Sequence, residues 1–340
     1  MHALVCPDKF RGSLTAVEAA GALARGLATA GFEDIRCLPL ADGGEGTMEA
    51  LVAARGGSRR QARVTGPLGD PVDAAWGVLP DGTAVVECAA ASGLALVAGQ
   101  NDPLAATSRG TGELIAAAVR AGARKVLVAV GGSAMTDGGL GAVTALDWSL
   151  AGVEVTVACD VETPFLDAAA TFGPQKGATP AQVALLQRRL ERLAEVYRDR
   201  RGTDVTGLRH AGAAGGLAGG LAALGARLEP GFDVVARTCG LEAALAGAGL
   251  VVTGEGRLDA TSFGGKVVGG VLEWAEAEEI GARVVVAGQI APGTEVPEDV
   301  LALALTDRVW QPEEALSRAA VLLEEAAVEA GHWARERLSG

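Results

Sequence analysis

Short apolar runs rich in β-branched residues alternate along the chain with longer stretches of helical periodicity. The runs at 2–6, 35–40, 83–88, 124–130, 153–158, 249–253, 282–287 and 300–305 are nearly continuous in hydrophobic character. That pattern predicts strands covered on both faces, as in a parallel sheet. Helices are expected between them. One starts at Thr15, where Thr15-Ala16-Val17-Glu18 reads as a capping box. Another starts at Thr179, with Pro180 at the first helical position and Gln182 as the box partner. The last is expected from just after Gln311-Pro312 to about His332. Strand–helix alternation of this kind predicts an α/β fold. The segment 62–88 departs from the rhythm: three short strands joined by Pro/Gly turns predict an antiparallel ribbon in a different subdomain.

The 340 residues suggest roughly two domains, the second boundary falling between 205 and 245. Hydrophobic residues make up 49% of the chain and aromatics only 4%, so the core has to be built from Ala, Val and Leu. The 49 glycines follow no Gly-X-Y period and are expected at tight turns and close backbone approaches. A net charge of -13 argues against nucleic acid or an anionic membrane as partner. The uncharged run at 211–226 is too short and too glycine-rich for a membrane span. The N-terminal MHALVCPDKF has no basic-then-apolar leader pattern. Cys6, Cys37, Cys88, Cys159 and Cys239 are widely spaced, and they read as small buried residues of a reduced, cytoplasmic protein. Three histidines, His2, His210 and His332, leave little room for a multi-histidine zinc site.

One pattern recurs four times: a strand ends, a loop rich in glycine and acid follows, and a helix begins. It occurs at CPDKFRGSL (6–14), LADGGEGT (40–47), VGGSAMTDGG (130–139) and VTGEGRLDATSFGGK (252–266). In a parallel sheet such loops lie at the carboxyl ends of strands, where α/β proteins bind ligands. Glycine lets backbone N–H groups approach an anion at a helix N-terminus. Carboxylates in the same loops suit a hard cation such as Mg²⁺, and Lys9, Arg11, Arg257 and Lys266 add positive charge. This mixture suits phosphoryl transfer, which is catalysed mainly by positioning and charge neutralisation. The same residues also have structural uses. Asp42 and Asp137 are potential helix caps, Lys9 and Arg11 potential surface charges, Glu255 a potential partner of Arg257, and Ser108 and Thr111 a potential helix start. No G-x-x-x-x-G-K-[ST] loop, G-x-G-x-x-G fingerprint or G-x-S-x-G elbow is present.

At these loops the sequence resembles the bacterial type-1 glycerate kinases. The resemblance is carried, in order, by PDKFRGSLTAVEAA (7–20), PLADGGEGTMEAL (39–51), NDPLAATSRGTGELI (101–115), VGGSAMTDGGLGA (130–142), ACDVETPF (158–165), FGPQKGATP (172–180), GAAGGLAGGL (212–221) and TGEGRLDATSFGGK (253–266). It implies transfer of the ATP γ-phosphoryl group to D-glycerate with Mg²⁺, giving 2-phosphoglycerate. It also implies two α/β domains with a cleft between them: a Rossmann-like domain from 1–62 plus 230–340, and an inserted domain at 63–229. Where the family usually reads Asp-Ser-Phe-Lys, this chain has Asp8-Lys9-Phe10-Arg11, which adds a second basic residue. Met135 precedes Thr136-Asp137-Gly138-Gly139 where the family often has Thr-Asn-Asp-Gly-Gly, and Asp259-Ala260-Thr261-Ser262 stands for Asp-Gly-Gln-Thr.

On this footing Asp8, Asp42 and Asp137 are the expected metal ligands or acceptors of the hydroxyl proton, with Asp259 a third metal candidate beside Asp42 and Asp137. Lys9 and Arg11 are expected to face the glycerate carboxylate or the transferring group. The backbones of Gly43, Gly44, Gly132, Ser133, Gly215 and Gly216 are expected near phosphates, and Glu255, Arg257 and Lys266 in the same site. A kinase for another small hydroxy acid and a non-enzymatic two-domain binding protein are the competing classes. The pattern of residues leaves the oligomeric state open.

Overall fold

The structure is a computed structural model that describes residues 2–339. Its strands, in chain order, are β1 (His2–Val5), β2 (Ile35–Cys37), β3 (Ser58–Thr65), β4 (Pro71–Val78), β5 (Ala84–Glu87), β6 (Lys125–Ala129), β7 (Glu154–Cys159), β8 (Arg227–Pro230), β9 (Ala248–Leu258), β10 (Ala282–Ile290) and β11 (Val300–Ala304). They form two sheets, ordered β11-β10-β9-β1-β2 and β3-β4-β5-β6-β7-β8. The chain divides into two compact units. One is made of the segment ending at Asp42, Glu49–Ala54 and the chain from Phe232 onward; the other of Gly43–Met48 and Arg55–Gly231.

The first unit holds the five-stranded sheet, parallel throughout. Numbered within the unit, its order is 2-1-3-4-5, a doubly wound arrangement whose winding reverses between β1 and β9. Alternation along β10 explains the continuous hydrophobic run: Val284 and Val286 face one layer, with Leu23, Leu27, Leu322 and Leu323, while Val285 and Ala287 face the other, with Val268 and Leu272. Each buried Val or Leu here contributes about 1.5–3 kcal/mol. The scarcity of aromatics has a counterpart in backbone proximity. A Cβ on Gly26 would lie 2.1 Å from the Glu324 carbonyl, so the helices Ala16–Thr29 and Ala319–Ser339 meet at a distance only glycine permits.

The second unit has a mixed sheet. β3, β4 and β5 pair antiparallel, and β5 to β8 run parallel. The ribbon expected in 62–88 is therefore present, but it begins earlier, at Ser58. The expected boundary at 62/63 falls inside β3, because Ser58 through Thr65 pair residue by residue with β4. Gly43–Met48 also belongs to this unit: Val130 N–H donates to the Gly43 carbonyl, and a Cβ on Gly131 would lie 2.6 Å from Gly44 Cα.

Both expected capping boxes form, at Thr15/Glu18 and Thr179/Gln182. Other expectations need correction. The last helix is broken into Pro312–Ser317 and Ala319–Ser339. β2 stops at Cys37; beyond it only Leu38 and Leu40 reach back to β1 and its loop, through the Val5 and Pro7 carbonyls. β8 was not expected, because its Arg227-Leu228-Glu229-Pro230 sequence is too polar to stand out, its pairing to β7 deciding the conformation. The five cysteines are free and four are buried, but Cys37 is exposed at the sheet edge. No helix among the described residues is long and apolar enough to cross a membrane.

Candidate active site

In the first unit the candidate site residues gather where doubly wound sheets bind ligands, beyond the carboxyl ends of the two strands at the reversal point. Chain pairing continues past β1: Cys6 N–H donates to the Val252 carbonyl and Asp8 N–H to the Gly254 carbonyl. Phe10, 1% exposed, anchors the loop in the core. A tight turn through Gly12, at φ +83°, returns the chain so that the Phe10 and Leu14 backbones pair. Asp8 is thereby held in the interior, its Oδ1 accepting its neighbour's backbone N–H at 2.7 Å, with Lys9 Nζ at 3.8 Å.

Asp8, Asp42 and Glu255 form an acidic cluster. Burial pushes the Asp8 carboxyl up to about 7; Lys9 opposes this, and Asp42 and Glu255 reinforce it. Glu255 is raised as well, again mainly by burial, with Ser262 and Lys266 opposing. Its Oε1 is buried and has no hydrogen-bond partner. Glu255 makes its side-chain bond to Ser262, so the expected pairing with Arg257, which is exposed, is not seen.

Asp259, one of the expected metal ligands, is engaged locally through one carboxylate oxygen. It caps a short helical turn, its Oδ1 accepting from Thr261 N–H at 2.9 Å and Thr261 Oγ1 at 2.7 Å, while its own N–H donates to Ser262 Oγ. Those Thr261 bonds hold its carboxyl below the usual range. Lys266 Nζ donates to Thr261 Oγ1 at 3.0 Å. Arg11 is exposed and borders a cavity of about 210 Å³ whose walls include Ser13, Gln289, Thr306 and Glu313.

In the second unit, Asp137 is a hub. Its Oδ2 accepts from Ser108 N–H and Ser108 Oγ, both at 2.8 Å, from Gly141 N–H at 3.2 Å and from Thr107 Oγ1 at 3.4 Å. Its Oδ1 accepts from Gly139 N–H at 3.0 Å. The carboxylate thus ties the 107–109 loop to the start of the helix Leu140–Ala145, and its lone pairs are largely taken. Ser108 does stand at a helix start, but its hydroxyl turns to Asp137 and to Ala142 N–H rather than to its own helix. Beside Asp137 lies a cavity of about 540 Å³, walled by Leu140, Leu186, Leu190 and Leu193 and rimmed by Arg188 and Arg192.

Of the glycines expected at phosphates, Gly132 (φ +72°) is exposed. Gly43, Gly215 and Gly216 stand where the backbone is closely approached. A Cβ on Gly43 would lie 2.9 Å from the Ala158 carbonyl, one on Gly215 2.2 Å from that of Met135, and one on Gly216 2.8 Å from Gly138 Cα. Lys176 and Asn101 were not singled out from the sequence, although both lie in strings quoted above. Lys176 is 3% exposed and donates through Nζ to Ser133 Oγ at 2.9 Å and to the Met135 carbonyl at 2.6 Å. Asn101 Nδ2 donates to the Ala134 and Lys176 carbonyls at 3.0 and 2.9 Å.

A doubly wound parallel sheet with acid at its reversal point, and glycine loops around a buried lysine in the second unit, place the chain among α/β proteins with ligand-type loops at their strand ends. The profile described as "Glycerate kinase family" matches residues 3–152 and 145–335, and the chain belongs to the glycerate kinase family, whose members are kinases. It is 42% identical over 314 residues to the glycerate 2-kinase of Escherichia coli K12, with 81% of this chain and 82% of the relative covered. It is 40% identical over 317 residues to the glycerate kinase of Bacillus subtilis 168, covering 82% and 83%. A solved structure described as glycerate kinase 2 from Salmonella typhimurium LT2 superposes with a TM-score of 0.87 at 37% identity, each chain fully covered.

Proposed function

We propose that this enzyme transfers the γ-phosphoryl group of ATP to the 2-hydroxyl of D-glycerate, with Mg²⁺, giving 2-phosphoglycerate in the cytoplasm. The observation that carries the reading is the acidic cluster at the strand reversal, where Asp8 is held in the interior within the influence of Asp42 and Glu255. A buried carboxylate there accepts a hydroxyl proton as the oxygen attacks phosphorus. Lys9 and Arg11, on the same loop, supply positive charge for the glycerate carboxylate. Arg11 borders a cavity of about 210 Å³, sized for a small hydroxy acid. The larger apolar cavity beside Asp137 suits the nucleoside of ATP.

Among the described residues no group of three or more acidic, histidine or cysteine side chains is disposed to hold a metal. Mg²⁺ needs no such cage, since it usually keeps waters and phosphate oxygens and takes one or two protein carboxylates. The hard oxygens of the cluster fit it, and Asp42 would hold it. Bound there, the ion would neutralise phosphate charge. Asp137 and Asp259, engaged by their own hydrogen bonds, then serve to shape loops.

Purified protein with ATP, Mg²⁺ and D-glycerate should release ADP, with phosphorus NMR showing the phosphate ester at carbon 2. ADP release that is indifferent to D-glycerate, or that persists in excess EDTA, sinks the reading. Arg11 offers a planar two-pronged contact to a carboxylate. Arg11→Ala should therefore lower kcat/KM for glycerate more than about tenfold, roughly 1.4 kcal/mol, chiefly through KM and with an unchanged melting temperature. Unaltered glycerate kinetics in the folded variant would place Arg11 outside the substrate site.

A further inference from the structure

We propose that Lys176 is a positioning residue of this kinase, holding the Ser133 hydroxyl as a hydrogen-bond donor aimed at a phosphate of the nucleotide. The inference rests on the kinase reading above and assigns a residue that the reading leaves without a role.

Lys176 ends a short helical turn, Pro174–Lys176, which Gly177 closes at φ +90°. Its ammonium is buried, yet among the described residues no carboxylate forms an ion pair with it; both of its hydrogen bonds go to neutral oxygens. A cation in that position is costly unless an anion offsets it. Burial pushes its pKa down to about 8, against the opposing influence of Cys88 and Asp137. The surroundings are built around it. Gly215, at φ +66°, lets the 212–216 loop close over the lysine, since a Cβ there would lie 2.2 Å from the Met135 carbonyl and 3.0 Å from Nζ. Asn101 fastens the Lys176 and Ala134 carbonyls together.

The direction of the Lys176–Ser133 bond gives the cluster its use. An ammonium has donors only, so Ser133 Oγ accepts from Nζ and its own proton must point elsewhere. No acceptor for that proton is found among the described residues. Three positions on, the Thr136 hydroxyl is also buried and without a partner. Gly132, left-handed and exposed, stands immediately before Ser133. Lys176 therefore fixes the inner side of the loop, polarises the Ser133 hydroxyl and leaves donors for an anion. A phosphate, with oxygens that only accept, is the chemical class this serves, and charge-assisted donation of this kind is stronger than a neutral bond.

The test uses the full chain and a direct binding measurement. ADP affinity by calorimetry, and KM for ATP and for D-glycerate, are compared in wild type, Ser133→Ala, Lys176→Met, Lys176→Arg and the double variant Ser133→Ala/Lys176→Met. Ser133→Ala should raise the ADP Kd and the ATP KM about tenfold with little change in glycerate KM. Lys176→Met should do at least as much, and Lys176→Arg should restore part of the loss. The double variant should bind no worse than Lys176→Met, because one residue acts through the other and the effects do not add. Ser133→Ala binding ADP like wild type overturns the inference, and this conservative variant decides the matter even if Lys176→Met fails to fold. Full additivity overturns it too. Wild-type protein that binds no ADP is a different failure, because it removes the kinase reading itself.

Discussion

Asp8→Asn is expected to slow turnover at least about 100-fold and yet to raise the melting temperature at pH 8. Loss of a general base costs typically 10²- to 10⁴-fold. The stability effect has the opposite sign because the carboxylate is held where a charge is unfavourable. The Asp8 carboxyl is pushed from its ordinary 3.8 up to about 7 in the fold, chiefly by burial. Between those values the native protein retains a proton that the unfolded chain has released. The metal-free fold therefore loses stability as pH rises from about 4 to about 7, by at most roughly 4 kcal/mol. Asparagine keeps the acceptor for the Lys9 N–H and carries no charge. The advantage of the variant should be largest at pH 8 and vanish near pH 4. Thermal melts of both proteins in EDTA at these two pH values check it. A variant that melts lower than wild type at pH 8, or by the same margin at both, contradicts the burial argument; one that turns over normally removes Asp8 from the chemistry. Proteins commonly give up stability at the residues their chemistry needs.

Asp137→Asn is expected to be destabilising, by about 3 kcal/mol. Its Oδ2 collects four donors and its Oδ1 one. An amide has one accepting oxygen, and its NH₂ would face the N–H or hydroxyl donors of Ser108, Gly141 or Gly139. Unmade bonds to buried groups cost about 1–3 kcal/mol each. For a unit of this size the melting temperature should fall by roughly 6–12 °C. Calorimetric melts without ligand measure this, free of any catalytic role. A variant that melts like wild type but has lost activity would restore Asp137 to the metal or to the reacting hydroxyl.

The alternation of apolar runs with helical stretches was enough to read the α/β class, because strands buried on both faces must be hydrophobic at nearly every position. Thr15/Glu18 and Thr179/Gln182 were legible for the same local reason: a capping box involves only residues three apart. The recurrent loops also pointed to Asp8, Asp42 and Glu255, since acid beside glycine at a strand end is a short-range pattern. What Asp8, Asp137 and Asp259 do could not be read in this way. All three are aspartates in glycine-rich loops, and they differ in their neighbours: distant ones for Asp8 (Glu255 and Asp42) and Asp137 (Ser108 and Thr107), a nearby threonine turn for Asp259. Likewise the close approach of Gly43 to Ala158 and of Gly215 to Met135 could not be read from the chain. Lys176 was one of four lysines until the fold buried it against Ser133. The sequence by itself determined the class of fold, the local caps and the loops that carry acid and glycine, because those depend on neighbours along the chain. Which carboxylate is desolvated, which is saturated with donors and which cation is buried without an ion pair came from the folded chain, because burial and most partners are set by residues far apart in sequence.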